Sequence, residues 1–240
     1  YISEISAKSG ITPVKKLWLP MFDGNLPLET LFTAEMLHDT CTAIIGKLDY
    51  PEQQSQPLFT LKYPQCGHVM IAGNSGSGKS TLMKTILYSL MCGQTAEYIN
   101  WYALDFSNRM FDDLQSYEHC GGIVYGEDED KVKRVFRLLT ETLQYRKNKL
   151  ADAGVSSVEE YRKKSANPMP YILVLIDNYA GFKEAYESYT DIMITLLREG
   201  VSRGIHFIVT LNALSEANRA QRVRRRFMLH FVKKVSTRKR

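Results

Sequence analysis

The chain has 240 residues, 44% of them hydrophobic and 24% charged, enough to bury a full core and ordinary for a soluble globular protein. No run approaches the roughly 18 apolar residues of a membrane span, and no basic-then-apolar leader is evident. Opening on Tyr1, the stretch reads as a piece of a longer polypeptide whose membrane anchor, if any, lies elsewhere. The net charge of +5 belongs to one end: residues 219–240 hold ten Lys/Arg and no acid, while 21 bases face 26 acids elsewhere. Such a tail suits a nucleic-acid or anionic-membrane contact, or a solvated end kept soluble by charge, the latter being favoured. Cys41, Cys66, Cys92 and Cys120 show no C-x-x-C spacing and are read as free, mostly buried thiols of a reducing compartment.

Residues 1–56 read as an N-terminal lead-in, with Trp18–Pro20 and Leu26–Leu28 as short turn-rich apolar pieces. Pro57–Lys62 alternates apolar and polar, the pattern of a half-exposed strand. The turn Pro64–Gly67 leads into the apolar run His68–Ala72, a glycine-rich stretch over 73–81, and a helical pattern through Leu90. Glu97–Asp105 is an aromatic-rich strand and Ile123–Tyr125 a short third one. Residues 127–151 form a long amphipathic helix with Glu127, Asp128, Glu129 and Asp130 in its first turn, where the macrodipole favours acids. Val132, Phe136, Leu139, Leu143 and Leu150 make its buried stripe, and Ala153-Gly154 ends it. Ser156–Lys164 is a shorter helix capped by Ser156 or Ser157, with Glu159 and Glu160 in its first turn. The uninterrupted run Tyr171–Ile176 is typical of a central parallel strand buried on both faces. A helix over 188–200, a buried strand over 205–211 and a last strand candidate over 227–232 complete a body spanning 57–232, and 233–240 is a basic tail. Strand and helix alternate, which predicts an α/β fold with a mainly parallel central sheet flanked by helices and joined by right-handed crossovers.

Gly73-Asn74-Ser75-Gly76-Ser77-Gly78-Lys79-Ser80-Thr81 fits G-x-x-x-x-G-K-[ST], and it sits between a strand and a helix as a phosphate-binding loop must. Glycines allow successive N–H groups to turn inward, and the helix N-terminus adds positive potential where phosphates lie. Lys79 is expected to reach the β- and γ-phosphates of ATP, and Ser80 to ligate Mg²⁺. A second metal-side oxygen is expected from Asp177, at the C-terminal end of the run 171–176, in the crevice where open α/β sheets bind ligands. The following residue is Asn178, where many such ATPases place Glu to polarise the attacking water. An amide can orient water but cannot take its proton, and Glu184 lies six residues on in a separate segment. Nucleotide binding with slow turnover is therefore expected. Asn212, just past the strand 205–211, is a candidate γ-phosphate sensor. Arg198 and Arg203, in the helix and turn before that strand, are candidates for a finger acting on a neighbouring subunit.

With these pieces in order, the chain resembles the FtsK/SpoIIIE superfamily of hexamer-forming ATPases, and within it the ATPase modules of the EssC/EccC proteins of type VII secretion. Gly46–Gln56 matches the lead-in G-x-x-D-x-P-x-x-Q-x-Q. Gly67-His68, Leu104–Phe106, Asp130–Arg137, Tyr145-Arg146, Tyr161-Arg162, Ile176–Tyr179 and Gly204–His206 follow at the family's spacing. The resemblance implies a RecA-like core of the P-loop NTPase kind, ATP and Mg²⁺ as ligands, and further ATPase modules in the same polypeptide. It also implies assembly as a hexamer and a place in the cytoplasmic part of a bacterial membrane-bound protein. Small secreted helical proteins with a WXG motif would be its cargo, and nucleic acid is not expected as a partner. Two departures matter. Asn178 stands where the most active members carry Glu, and Thr210-Leu211-Asn212-Ala213 stands where DNA translocases carry Ala-Thr-Gln-Arg. An ATP-binding module of a secretion motor is favoured over two alternatives, a DNA translocase and a docking module with a permanent structural nucleotide.

Overall fold

The computed structural model describes residues 19–20, 22, 26–32, 41–165 and 168–212, and the backbone of 227–231. In chain order its strands and helices are β1 (Thr42–Lys47), β2 (Leu58–Lys62), β3 (His68–Ala72), α1 (Lys79–Gly93), β4 (Ile99–Asp105) and β5 (Cys120–Tyr125). There follow α2 (Glu129–Asp152), α3 (Val158–Lys164), β6 (Tyr171–Asp177), α4 (Tyr179–Ala185), α5 (Thr190–Glu199), β7 (Ile205–Leu211) and β8 (Phe227–Phe231). Six strands form one sheet in the order β5-β4-β6-β7-β3-β8, and every neighbouring pair is parallel. Because all six run the same way, Ala72, Asp105, Asp177 and Leu211 end at one edge of the sheet.

The two-residue period of the strands divides the core into two layers. Ile172, Val174 and Ile176 of β6 pack with Phe136 and Leu139 of α2, Phe182 of α4 and Leu196 of α5. Leu173 and Leu175 face the other way, towards Met83, Ile86, Leu87 and Leu90 of α1. All seven residues of β6 and all seven of β7 are buried, at about 1.5–3 kcal/mol for each large aliphatic side chain. β1 and β2 pair antiparallel on the α1 side, with a register shift between Ile44 and Gly46. Cys41, Ala43, Leu61 and Tyr63 join the α1 layer, and the Ile44 amide donates to the buried Ser89 hydroxyl of α1 at 2.7 Å. Strands on either side of position 57 are thus tied to each other and to the main core.

Helix ends follow their local chemistry. Ser157 caps α3, its hydroxyl accepting from the Glu160 amide at 3.2 Å, and the Glu160 carboxylate reaches back to the Ser156 amide at 2.9 Å, a reciprocal arrangement that satisfies otherwise orphaned donors. The α2 stripe is buried as expected and gains Val135 and Arg146. The acids, however, do not all enter the helix. Asp128 is its N-cap and Glu127 precedes it, the first held by Lys131 and the second by Arg109. Of the thiols, Cys41 and Cys66 are buried, Cys120 is half-buried and Cys92 is exposed. The helix expected over 188–200 spans Thr190–Glu199, and α4, between Asp177 and that helix, is an element the sequence pattern does not predict. Trp18 and the basic runs at 219–226 and 233–240 lie outside the described residues.

Candidate nucleotide site

β3 delivers the chain to the sheet edge, where the Gly73 amide donates to the Leu211 carbonyl at 3.1 Å and anchors the start of the loop against the end of β7. A turn closes from the Ser77 amide to the Asn74 carbonyl at 3.2 Å. Gly76 (φ 71°) and Gly78 (φ 92°) take left-handed conformations that cost an L side chain about 1–2 kcal/mol. No atom lies within 4 Å of where a Cβ would project at either. Gly78 is the N-cap of α1 and brings no side chain to the first amides of the helix. Those donors, with the positive end of the dipole, face the loop's concavity, which is the arrangement that receives phosphate oxygens. Lys79 Nζ donates to the carbonyls of Gly73 and Asn74 at 3.1 and 3.0 Å, arching over the loop it closes. Asn74, Ser75 and Thr81 are exposed.

Parity then assembles the second half. Asp105 and Asp177 are register partners at the ends of β4 and β6, and Ile176 pairs with Val209, one residue before the level of Asp177 and Thr210. All three polar residues project on the same side as Trp101, Leu175 and Ile208, the α1 side. Ser80, in the first turn of α1, donates its hydroxyl to Asp177 Oδ2 at 2.8 Å. Thr210 donates to Asp177 Oδ1 at 2.5 Å and accepts the Asn178 amide at 2.8 Å. The pair Ser80–Asp177 fits Mg²⁺: two hard oxygens, one hydroxyl and one carboxylate, meet beside the phosphate cradle, the modest protein contribution this ion uses when phosphates and water complete its octahedron. Asp177 is only 2% exposed, so its charge has little competition from water. Asp105, also buried, spends its two oxygens on the amides of Ser107 and Met110, each at 2.8 Å, and so shapes the loop after β4.

Asn178 has a structural task at this position. It sits at φ 65°, ψ 71°, a left-handed conformation that Asn tolerates better than most residues. Its Oδ1 accepts from the Gly181 amide at 3.3 Å, capping α4, and its Nδ2 donates to the Phe106 carbonyl at 3.2 Å. A Cβ on Gly181 would come within 2.7 Å of that Nδ2. One N–H and one lone pair of the amide are engaged in holding the backbone, which fixes the direction in which the side chain points. Glu184 is exposed on α4.

The remaining candidates separate. Asn212 is exposed directly after β7, one residue beyond the carbonyl that anchors Gly73. Arg203 lies at the opposite end of β7, seven strand residues and so about 20 Å from the loop. Its guanidinium is bound to the Glu199 carbonyl and the Ser202 hydroxyl. Arg198 is exposed and pairs with Glu199. Neither arginine belongs to this chain's own phosphate cradle. Thr210 is the residue that sequence reasoning passed over. Its signal was a polar side chain at the C-terminal end, and on the α1-facing parity, of a strand that is otherwise Ile, Phe, Val and Leu apart from His206 near its start.

Comparison with known proteins agrees with this construction. A sequence profile of the FtsK/SpoIIIE family matches residues 40–224. The type VII secretion system protein EssC of Staphylococcus aureus (strain MRSA252) is 26% identical over 88% of this chain, which spans 15% of that protein's length. Among solved structures, EssC (ATPases 2 and 3) from Geobacillus thermodenitrificans is 28% identical over 78% of this chain and 36% of that one, with a TM-score of 0.72. The cytoplasmic domain of the Thermomonospora curvata type VII secretion ATPase EccC shares the fold with a TM-score of 0.81, at 24% identity over 89% of this chain and 27% of that one. With a parallel RecA-like sheet, a phosphate loop between strand and helix, and a profile match over most of its length, the chain belongs to the FtsK/SpoIIIE family.

Proposed function

We propose that this chain is an ATP-binding module of a type VII secretion motor, one that grips Mg²⁺–ATP firmly and turns it over slowly on its own. The observation that carries the reading is the meeting of Ser80 and Asp177 at 2.8 Å beside an α1 N-terminus with no side-chain cap. In it, amides of 73–81 bind the phosphates and Lys79 exchanges its loop carbonyls for β- and γ-phosphate oxygens. Ser80 and Asp177 hold Mg²⁺, which supplies charge neutralisation on the phosphates when bound. Asn212 contacts the γ-phosphate side, and Arg203 serves a neighbouring subunit rather than this one. The module works beside other ATPase modules of the same polypeptide, in a hexamer on the cytoplasmic side of the membrane, moving small helical WXG proteins. Support for that setting comes from the EssC and EccC relatives, and no helix among the described residues is long and apolar enough to cross a membrane.

The test is fluorescent-ATP binding and steady-state turnover on the chain and on Lys79→Ala. Binding should be Mg²⁺-dependent, and losing the lysine's charge-assisted contacts should weaken it by about ten- to a hundredfold. Turnover should stay low and should not rise with duplex DNA at low salt. Rapid DNA-stimulated hydrolysis would replace this reading with that of a DNA translocase.

A further inference from the structure

Asp177 is held from two sides, and only one of them is the phosphate loop. On the other side stands the Thr210 hydroxyl, 1% exposed at the end of β7. A hydroxyl has one proton to give and lone pairs with which to accept. Here an acceptor position is filled by the Asn178 amide at 2.8 Å, and the proton goes to Asp177 Oδ1 at 2.5 Å. Once Oδ1 is fixed, rotation of the carboxylate is blocked and Oδ2 is presented to Ser80. The Asn178 amide is itself delivered by a backbone that cannot drift, since the side chain is bound at Gly181 and Phe106 and the Phe106 amide donates to the Asp177 carbonyl at 3.2 Å.

We propose that Thr210 is the positioning residue of the Mg²⁺ side of the site, setting the Asp177 carboxylate through its hydroxyl so that Oδ2 and Ser80 Oγ meet the ion together. Thr210 does not touch nucleotide. It acts through Asp177, and it also links the α4 cap at Asn178 to the metal side, so the order of that turn and the order of the carboxylate rise and fall together. This rests on the ATP-binding reading above and adds to it a residue that no motif of the loop contains. A threonine is suited to the place because the branched side chain packs in a buried strand while its hydroxyl bridges two polar groups. Valine keeps the shape and removes the bridge.

The experiment is a pair of affinities for each variant: fluorescent ADP with excess chelator, and the same ligand with Mg²⁺, with Mn²⁺ occupancy followed by electron paramagnetic resonance. For the unaltered chain the metal should tighten binding. In Thr210→Val the metal-dependent gain should fall by about tenfold while the metal-free affinity is unchanged, because the loop amides and Lys79 remain. Thr210→Ser, which keeps the hydroxyl, should restore the gain, and the sharp sextet of free Mn²⁺ should grow at the expense of the broad bound signal in the valine variant and not in the serine one. Thr210→Ala in the same assays covers a valine variant that does not fold. Equal metal-dependent gains in the threonine and valine (or alanine) forms would overturn the proposal while leaving ATP binding standing, as would failure of serine to rescue. No nucleotide binding by the unaltered chain in either condition would remove both.

Discussion

Asn178 shows how one residue can combine a position in the site with a structural task. By sequence it stands in a catalytic slot, and its amide invites the idea that water is held there. In the fold it is a left-handed cap whose oxygen serves Gly181 and whose nitrogen serves Phe106. Asn178→Glu therefore should not create a working base. It should leave turnover flat and lower stability by about 1–2 kcal/mol, the sum of a lost cap and a left-handed penalty, read as a fall in the urea midpoint. Asn178→Gly, at ease with φ 65°, should lose less stability than the glutamate variant. A rise in turnover for Asn178→Glu would show that the turn re-forms around the acid and that only a base is missing. At this scale the loop residues and Asp177 were legible because each follows a fixed local pattern. The Thr210–Asp177 contact was not, because it depends on register between β6 and β7, about thirty residues apart in the chain. The Asn178 cap was not, because its partners are the loop after β4 and a short helix without a visible period.

At the scale of elements, the strands of the central sheet and the long helices were anticipated because periodicity is strong in buried segments. β1, inside the stretch read as a lead-in, and α4, a seven-residue helix too short to show a period, were not. The arginines of Tyr145-Arg146 and Tyr161-Arg162 prove to be struts. Arg162 lies between the rings of Tyr98 and Tyr171, 4.8 and 4.6 Å from their centroids. Arg146 is 3% exposed on α2 and donates to the carbonyls of Arg203, Gly204 and Pro170, at 2.7, 3.2 and 2.7 Å. Burial, with Arg162 nearby, pulls its guanidinium down to about 10, and its donors are matched by neutral carbonyls rather than a carboxylate. The arginine thus fastens α2 to the turns that open β6 and β7. Arg146→Ala should cost about 2–4 kcal/mol in denaturant unfolding, because three carbonyls lose a charged donor at once. Arg146→Lys should recover only part, since an ammonium lacks the planar fork that spans carbonyls from two separate turns. A loss below about 1 kcal/mol in the alanine variant would mean water replaces the fork.

Across the whole molecule, the nucleotide edge of the sheet is polar and the far edge is sealed by aromatic and histidine packing, and that seal makes global stability pH-dependent. His206, fully buried in β7, donates from Nδ1 to the Gly67 carbonyl at 2.8 Å and lies against the rings of Tyr63 and Tyr171. Its Nε2 has no partner among the described residues. Burial pushes its pKa down to about 3; the Gly67 contact opposes this, and the charges of His68 and Arg146 add to it. In the unfolded chain the same imidazole titrates near 6.5. Above pH 6.5 both states are neutral and the group has no effect on stability. As pH falls below 6.5 the unfolded chain takes up a proton that the native one refuses, so stability declines by up to about 1.4 kcal/mol per pH unit. Between pH 6.5 and 5 most carboxylates stay ionised, and a variant at position 206 separates this histidine from the chain's other imidazoles, buried His68 beside it included. Urea unfolding at pH 7.0, 6.0 and 5.0 should show that slope, and His206→Gln, which keeps a donor for Gly67 without an ionisable ring, should flatten it by about 1 kcal/mol per pH unit. An identical slope in the glutamine variant would place the acid sensitivity in another group and leave His206 a packing residue only.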